Sequence, residues 1–183
     1  NFVYSLIFLV LGIASIAAAI KYTVGNDAYG YSGFGDVFVF IFFGLVAVIG
    51  SNFLYSKSMD IKLFLPAIAI GMLSTAVLNL NNMRDVENDK ISNKNTLVVK
   101  KGLKWAKNYH HFLILFSFVC FFVFSLSVDK KILPSLIIFI FFLKHLEKVR
   151  KSEKHEDFDP ELKKVALGTF ALSILIWISF LYS

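Results

Sequence analysis

One cysteine, three prolines and few charges set the first limits on this chain. Cys120 stands alone inside an apolar run, so no disulfide framework can form and the thiol reads as a small core residue. Three Pro and ten Gly in 183 residues leave little room for a long disordered tail. Asp, Glu, Lys and Arg make up only 17% of the chain, against about 25% in soluble domains. A Walker A loop, the D-G-x-x-A-R pattern of intramembrane phosphatidyl transferases and any zinc-ligand spacing are missing as well. Gly30, Gly33 and Gly35 follow no strand and make no dinucleotide fingerprint. The sequence begins at Asn1 with no methionine, no basic n-region and no small-residue cleavage site. It is therefore expected to carry no signal peptide and to be a fragment, or a chain whose N-terminal part is missing.

What is abundant is apolar. Hydrophobic residues make up 57% and aromatic ones 16%, with 21 Phe, and the mean hydropathy is +0.68. Soluble domains sit near 45–50% apolar and could not bury so many rings, so this is a membrane composition. Crossing about 30 Å of hydrocarbon takes about 20 helical residues. Runs of that kind fall at about 2–20, 37–55, 62–80, 109–128, 132–146 and 164–182. Lipid cannot satisfy open backbone groups and no period-2 barrel pattern is present. The expectation is an all-α, polytopic transmembrane bundle of about six spans in one membrane domain over 1–183. The span at 132–146 is the shortest, and would need His145 and its neighbouring lysines to reach the interface.

The basic residues orient these spans. The connections at 21–36, 81–108 and 144–164 hold fifteen of the nineteen Lys and Arg; the alternate connections hold only Lys57, Lys62, Lys130 and Lys131. By the positive-inside rule the first set is cytoplasmic, with both ends of the chain outside. Tyr22, Trp105, Trp177 and Tyr182 lie near span ends, as interface anchors do. The net charge of +6 is thereby explained by topology and anionic lipid, and no nucleic-acid partner is implied. No internal repeat is evident.

One polar block interrupts the apolar pattern: NLNNMRDVENDKISNKNTLVVKKG, residues 79–102. If the third span continues as a helix past residue 80, Asn81, Asp85 and Asp89 fall at i, i+4 and i+8 and stack on one stripe. Asn82 borders that side and Arg84 adjoins Asp85. Two carboxylates one turn apart repel unless a cation lies between them. Mg²⁺ suits such a pair, because it is commonly held by one or two carboxylates and by substrate phosphate oxygens. The lysines that follow would supply positive charge for a diphosphate leaving group. The plainer reading is a solvated cytoplasmic loop. Against it stand charges that begin at a span end, acids that precede lysines, and Asn repeated at 79, 81 and 82. A calcium loop is excluded, since Lys90 and Thr96 stand where Gly and Glu are required. His110 and His111 point about 100° apart on a helix and read as interfacial. The acids of EDFDPE, 156–161, read as a solvated turn before the last helix, with Pro160 marking it.

These residues resemble the UbiA superfamily of intramembrane aromatic prenyltransferases. NNMRDVEND matches the superfamily's second aspartate-rich motif, N-N-x-R-D-x-x-x-D, completely. NKNTLVVKKG is similar to the G-K-R-T-L-A-V-R-x-G stretch of the naphthoate branch, keeping Lys94, Thr96, Leu97, Val99 and Gly102, with Asn93 for Gly and Asn95 for Arg. YTVGNDAYGYSGFGDVFVFIFFGLVAV, 22–48, resembles a second block of the same branch. The resemblance implies a nine-helix fold of which this chain is the C-terminal part, helices four to nine. The family's first aspartate-rich motif has no match here; the other acids near a cytoplasmic mouth are Asp27, Asp36 and those of 147–161. Residues 1–183 alone are accordingly expected to hold half of the metal site and to be close to inactive.

The activity so implied is transfer of a polyprenyl group from polyprenyl diphosphate to 1,4-dihydroxy-2-naphthoate with decarboxylation, giving demethylmenaquinone in menaquinone synthesis. Asp85 and Asp89 would hold Mg²⁺ on the donor diphosphate, with Asn81 completing or orienting that shell and Asn82 beside it. Arg84 and Lys94 would neutralise the departing diphosphate. Tyr22 and Thr23 either line the acceptor or diphosphate site or anchor the interface. The resemblance places the protein in a bacterial cytoplasmic membrane, with these loops on the cytoplasmic side. The alternatives are another aromatic acceptor of the same superfamily, a catalytically incomplete membrane remnant or subunit, and a transporter.

Overall fold

The computed structural model describes residues 2–23 and 29–181; Asp27, Tyr182 and the side chain of Thr23 lie outside them. The described residues are helical, joined by short turns. Helix α1 spans Phe2–Thr23 and α2 spans Gly35–Ser56. Then come α3 (Phe64–Arg84), the short α4 (Val86–Ile91) and α5 (Leu97–Lys101), and α6 (Leu103–Ser127). A 3₁₀ stretch, Lys130–Ile137, leads into α7 (Ile138–Lys151), and α8 (Phe158–Leu181) closes the described chain.

Among the described residues, five segments are long and apolar enough to cross a bilayer: Phe2–Tyr22, Gly35–Ser56, Ile61–Arg84, Leu103–Ser127 and His155–Leu181. This is an all-α polytopic membrane protein. The segment at 132–146 differs in form, being split between the 3₁₀ stretch and α7. Pro134 lacks the N–H that an α-helix would use and keeps the first part 3₁₀. Because 3₁₀ rises about 2.0 Å per residue, the two pieces end to end measure about 37 Å, enough to match a bilayer core. Helices α3, α6 and α8 each extend four to six residues beyond the expected apolar runs on the side bearing residues 81–108 and 152–163. The polar residues at their ends are thus helical and fixed rather than looped.

Helix α3 is the centre of the bundle, packed against α2, α6 and α8. Its buried positions Ala69, Leu73, Ala76, Leu80 and Met83 alternate four- and three-residue spacings, a single helical stripe. Small residues matter more than large ones here, since lipid tails are as apolar as Leu and close approach is what associates helices in a membrane. The α2–α3 crossing shows this. A Cβ on Gly44 would lie 2.6 Å from the Ala67 carbonyl oxygen and 2.6 Å from Gly71 Cα. Across that contact α2 is wound wider, as π-helix over Phe40–Ile49.

Behind the apolar stripe, one buried polar chain ties three helices together. His110 of α6 and His145 of α7 meet at 2.8 Å between their Nε2 atoms; His145 Nδ1 meets Glu161 Oε2 of α8 at 2.6 Å, and Lys164 donates to Glu161 Oε1 at 2.5 Å. His110, His145 and Glu161 are all buried. The interfacial positions expected for His110 and His145 are therefore corrected: His145 has a partner at each ring nitrogen and His110 at its Nε2, and such pairing lowers the cost of enclosing the rings. His111 is half-buried, with Nδ1 2.8 Å from the Lys107 carbonyl oxygen.

Gly44→Val is expected to cost about 1–3 kcal/mol of stability, because backbone rather than a movable side chain blocks the new carbons. Thermal unfolding of the full chain in detergent checks it; an unchanged midpoint would mean that the crossing is looser than described.

Candidate functional site

The polar block is built at the end of α3. The helix runs unbroken to Arg84 and yields at Asp85, whose φ of −95° and ψ of 8° leave the α region. The break keeps register: Asp85 N–H donates to the Asn81 carbonyl at 2.9 Å, and Asp89 N–H to the Asp85 carbonyl at 2.8 Å. The i, i+4, i+8 stripe of Asn81, Asp85 and Asp89 thus persists across a bend.

Each acid of the stripe already faces a cation. The Arg84 guanidinium donates from Nε to Asp85 Oδ1 at 2.7 Å and from Nη2 to Asp85 Oδ2 at 2.9 Å, a two-pronged fork. Nη2 also donates to Asn81 Oδ1 at 2.8 Å, and Nη1 reaches Asp159 Oδ1 of α8 at 2.9 Å. Hydrogen bonding from Arg84 holds the Asp85 carboxyl below its usual range, against the opposing effect of partial burial. Asp89 is buried, and Lys94 donates to its Oδ1 at 3.1 Å.

The loop after α4 is held by its backbone. Lys94 N–H donates to the Asp89 carbonyl at 2.8 Å, and Thr96 caps α5 by accepting from Val99 N–H at 3.3 Å. Asn93 sits at φ 54°, in the left-handed region where glycine is easiest. Asparagine tolerates that region better than other side chains, so Asn93 reproduces there the conformation a glycine would give. Asn95 supplies no charge; its amide donates to the Asn93 carbonyl at 3.3 Å and its backbone N–H to the Tyr31 carbonyl at 2.7 Å. With Lys100 Nζ donating to the Ser32 carbonyl at 2.7 Å, these contacts seat the turn before α2 on the loop before α5. The two sequence blocks at 22–48 and 79–102 meet here.

Tyr22 lies against that turn and shares a small enclosed pocket with Gly30, Asp36, Asn82 and Thr96. Asn81, by contrast, opens onto a largely apolar cavity of about 440 Å³ between α2, α3 and α8, lined also by Phe43, Ser74, Val77 and Thr169. The structure therefore bonds Asn81, Arg84 and Asp85 to one another, pairs Asp89 with Lys94, and gathers Asn82 with Tyr22 around the small pocket. Thr23 ends α1, and its side chain lies outside the described residues.

The donor set fits a hard divalent cation. Asp89 Oδ2 and Asn82 Oδ1 are buried oxygens without a hydrogen-bond partner. Asp85 Oδ1 and Oδ2 each keep a further lone pair beyond Arg84. Among the described residues no three His, Cys, Asp or Glu side chains gather, so ligand phosphate oxygens would have to complete the shell, as they commonly do for Mg²⁺.

Three residues were not legible as part of this site. Asp159 reaches Arg84 across 75 residues of sequence from the EDFDPE segment read as a solvated turn. In the same connection His155 places Nδ1 3.0 Å from the Met83 carbonyl. Asp36 is buried beside Tyr109, with Oδ1 unpartnered. The one available signal was Asp-Pro at 159–160, which marks a helix start and so an ordered turn.

A central helix that ends in paired acids and cations, inside a bundle of apolar spans, defines a polytopic membrane protein with its charged site at one end of the bundle. Its sequence matches the UbiA prenyltransferase family over residues 2–168, and the chain belongs to that family. It is 51% identical over 119 residues to the 1,4-dihydroxy-2-naphthoate octaprenyltransferase of Escherichia coli (strain K12), covering 65% of this chain and 39% of that protein. The proteins of the same name from Haemophilus influenzae and Mycobacterium leprae are 38% and 32% identical, each over 92% of this chain and over 55% and 57% of their own lengths. The chain thus spans roughly 40 to 60% of the length of these three relatives. No solved structure matches it.

Asn93→Val should cost about 1–3 kcal/mol through left-handed strain, whereas Asn93→Gly should be neutral or slightly stabilising. Thermal unfolding of the two variants decides it, and equal destabilisation by both would show that the side chain rather than φ governs the position.

Proposed function

We propose that this chain is part of a prenyltransferase that moves a polyprenyl group from polyprenyl diphosphate to 1,4-dihydroxy-2-naphthoate, releasing diphosphate and CO₂ and giving the quinol form of demethylmenaquinone. The observation that carries the reading is the pairing at the end of α3, where Arg84 and Lys94 are each bonded to a carboxylate of the stripe. Support comes also from the relatives, whose names specify that acceptor and an octaprenyl donor.

Asp85 and Asp89 would hold Mg²⁺, with Asn81 and Asn82 orienting the shell. Such an ion would supply positive charge to the phosphate oxygens of the donor. Arg84 and Lys94 do the same from the protein, at the positions where negative charge develops. Both cations are held by acids beforehand, so a diphosphate arriving beside them would take over part of that hydrogen bonding. The apolar cavity below Asn81 suits an isoprenoid tail, and Phe43 on its wall can face an allylic cation with its ring. Excluding water there keeps the cation from hydrolysis. The acceptor ring carbon then forms the new C–C bond, its carboxyl leaves as CO₂, and the displaced diphosphate stays with the cations until release. Tyr22 and Thr23 lie at the end of α1, on the side where the acceptor would approach. The bilayer is the reservoir for the donor, and the charged loops would face the cytoplasm of a bacterial inner membrane.

Membranes carrying the full-length gene product, given polyprenyl diphosphate, Mg²⁺ and the naphthoate, should form the quinol, detected as demethylmenaquinone after oxidation in air. Asp85→Ala or Asp89→Ala should lower the rate by about 100-fold or more. Absence of product from the full-length chain, or full activity in either variant, overturns the assignment.

A further inference from the structure

We propose that Asp159, at the start of α8, is the positioning residue that fixes the Arg84 guanidinium for the donor diphosphate; the inference rests on the reaction proposed for the site. The fork between Arg84 and Asp85 locks those two groups to one another, but both ride on the bend where α3 gives way to α4. Asn81, the third acceptor, belongs to the same helix. The bond from Nη1 to Asp159 Oδ1, at 2.9 Å, is the contact that ties the guanidinium to a different helix. Without it the fork can swing as a unit, and a long side chain regains rotamer freedom.

The turn that carries Asp159 is anchored independently. Residues two apart on a helix point about 200° away from one another, so Asp159 and Glu161 face opposite ways. Glu161 is wholly buried against His145, and His145 against His110, which secures this turn of α8 to α7 and α6. On the other face Asp159 reaches α3. The preceding connection grips the same helix end: His155 Nδ1 donates to the Met83 carbonyl at 3.0 Å, and its Nε2 lies 3.7 Å from Glu87 Oε1. Residues 83, 84 and 87 are thus held from one connection, while Lys163 meets the second oxygen of Asp159 at 3.4 Å and steadies the carboxylate. A residue in the first turn of α8 therefore sets the geometry of a motif 75 positions upstream.

The test is a double-mutant cycle in the full-length protein, read in two ways. Steady-state kinetics give KM for polyprenyl diphosphate and for the naphthoate. Thermal stabilisation by a non-hydrolysable polyprenyl diphosphate analogue gives donor affinity without turnover. Asp159→Ala should weaken the donor by both measures by about tenfold or more, as loss of an outer-shell partner commonly does, with KM for the acceptor unchanged. Asp159→Asn keeps Oδ1 as an acceptor, and should retain most of the donor affinity and fold normally. In an Arg84→Lys background Asp159→Ala should change donor affinity less than twofold, because the group it orients is gone. Additive effects in that background, equal weakening of both substrates, or unchanged donor affinity in Asp159→Ala would overturn the proposal. If the full-length wild type bound the analogue but did not prenylate the naphthoate, the acceptor assignment would fail, and the cycle in donor affinity would still decide the role of Asp159.

Discussion

Everything at the polar end of this bundle depends on where one guanidinium puts its donors. Arg84 closes α3, where the carbonyl end of the helix dipole favours a cation and disfavours the acids that follow. The break at Asp85 resolves that conflict. It ends one helix on an arginine and starts another whose first turn holds Glu87 and Asp89, so the acids lie at an N-terminus. Backbone bonds still cross the break in helical register, and the arginine fork draws Asp85 back over the end it has just left. A straight helix would have stacked two carboxylates on the wrong end of its own dipole. The bend lets the same residues be satisfied.

Lipid sets the second condition. A polar group that leaves the charged edge of the bundle must find its partner within the protein, so such groups come in chains. The His110–His145–Glu161–Lys164 chain is one, and the Asp159–Arg84–Asp85 chain is the other. Both pass through the first two turns of α8, which makes that helix start the joint between the rear of the bundle and its charged site. Close packing in the apolar middle depends instead on small residues, with Gly44 against Gly71, and it holds α2 and α8 on either side of α3 with a cavity between them.

The sequence made the membrane class and most helix positions legible, because long apolar runs are a physical requirement of the bilayer and not a statistical preference. It also displayed the stripe of Asn81, Asp85 and Asp89, whose spacing has meaning on any helix. Helix ends were less visible: α6 and α8 begin among charged residues that a hydropathy reading gives to loops, and one of these on α8, Asp159, reaches the site. Asp159 was hidden because its partner lies 75 residues away, and no local pattern distinguishes an acid that meets an arginine from one that meets water. His110 and His145 read as polar and therefore peripheral, whereas pairing made them cheap to bury. The departure at Asn93 turned out to be conformationally equivalent to glycine, since φ 54° asks for a residue that accepts the left-handed region.

The departure at Asn95 is different in kind, because it removes a charge that the family's pattern supplies. At the site Arg84 and Lys94 stand against Asp85, Asp89 and Asp159, with Lys163 at the edge, so acids and cations nearly cancel before any ligand is present. In the proposed reaction the ligand also arrives nearly balanced, as a diphosphate with its divalent cation. Matching one neutral set to another requires partners to be exchanged and no bare charge to be created, which matters at the edge of a low-dielectric region. Extra positive charge at position 95 would tilt that balance toward holding the leaving group more tightly after the bond has broken. With asparagine there, retention of diphosphate in the proposed reaction would fall to Arg84 and Lys94, each already bonded to an acid. In the proposed reaction the acids of the stripe and the acid on α8 would thus serve its end as well as its beginning, by competing for the cations that the product must release.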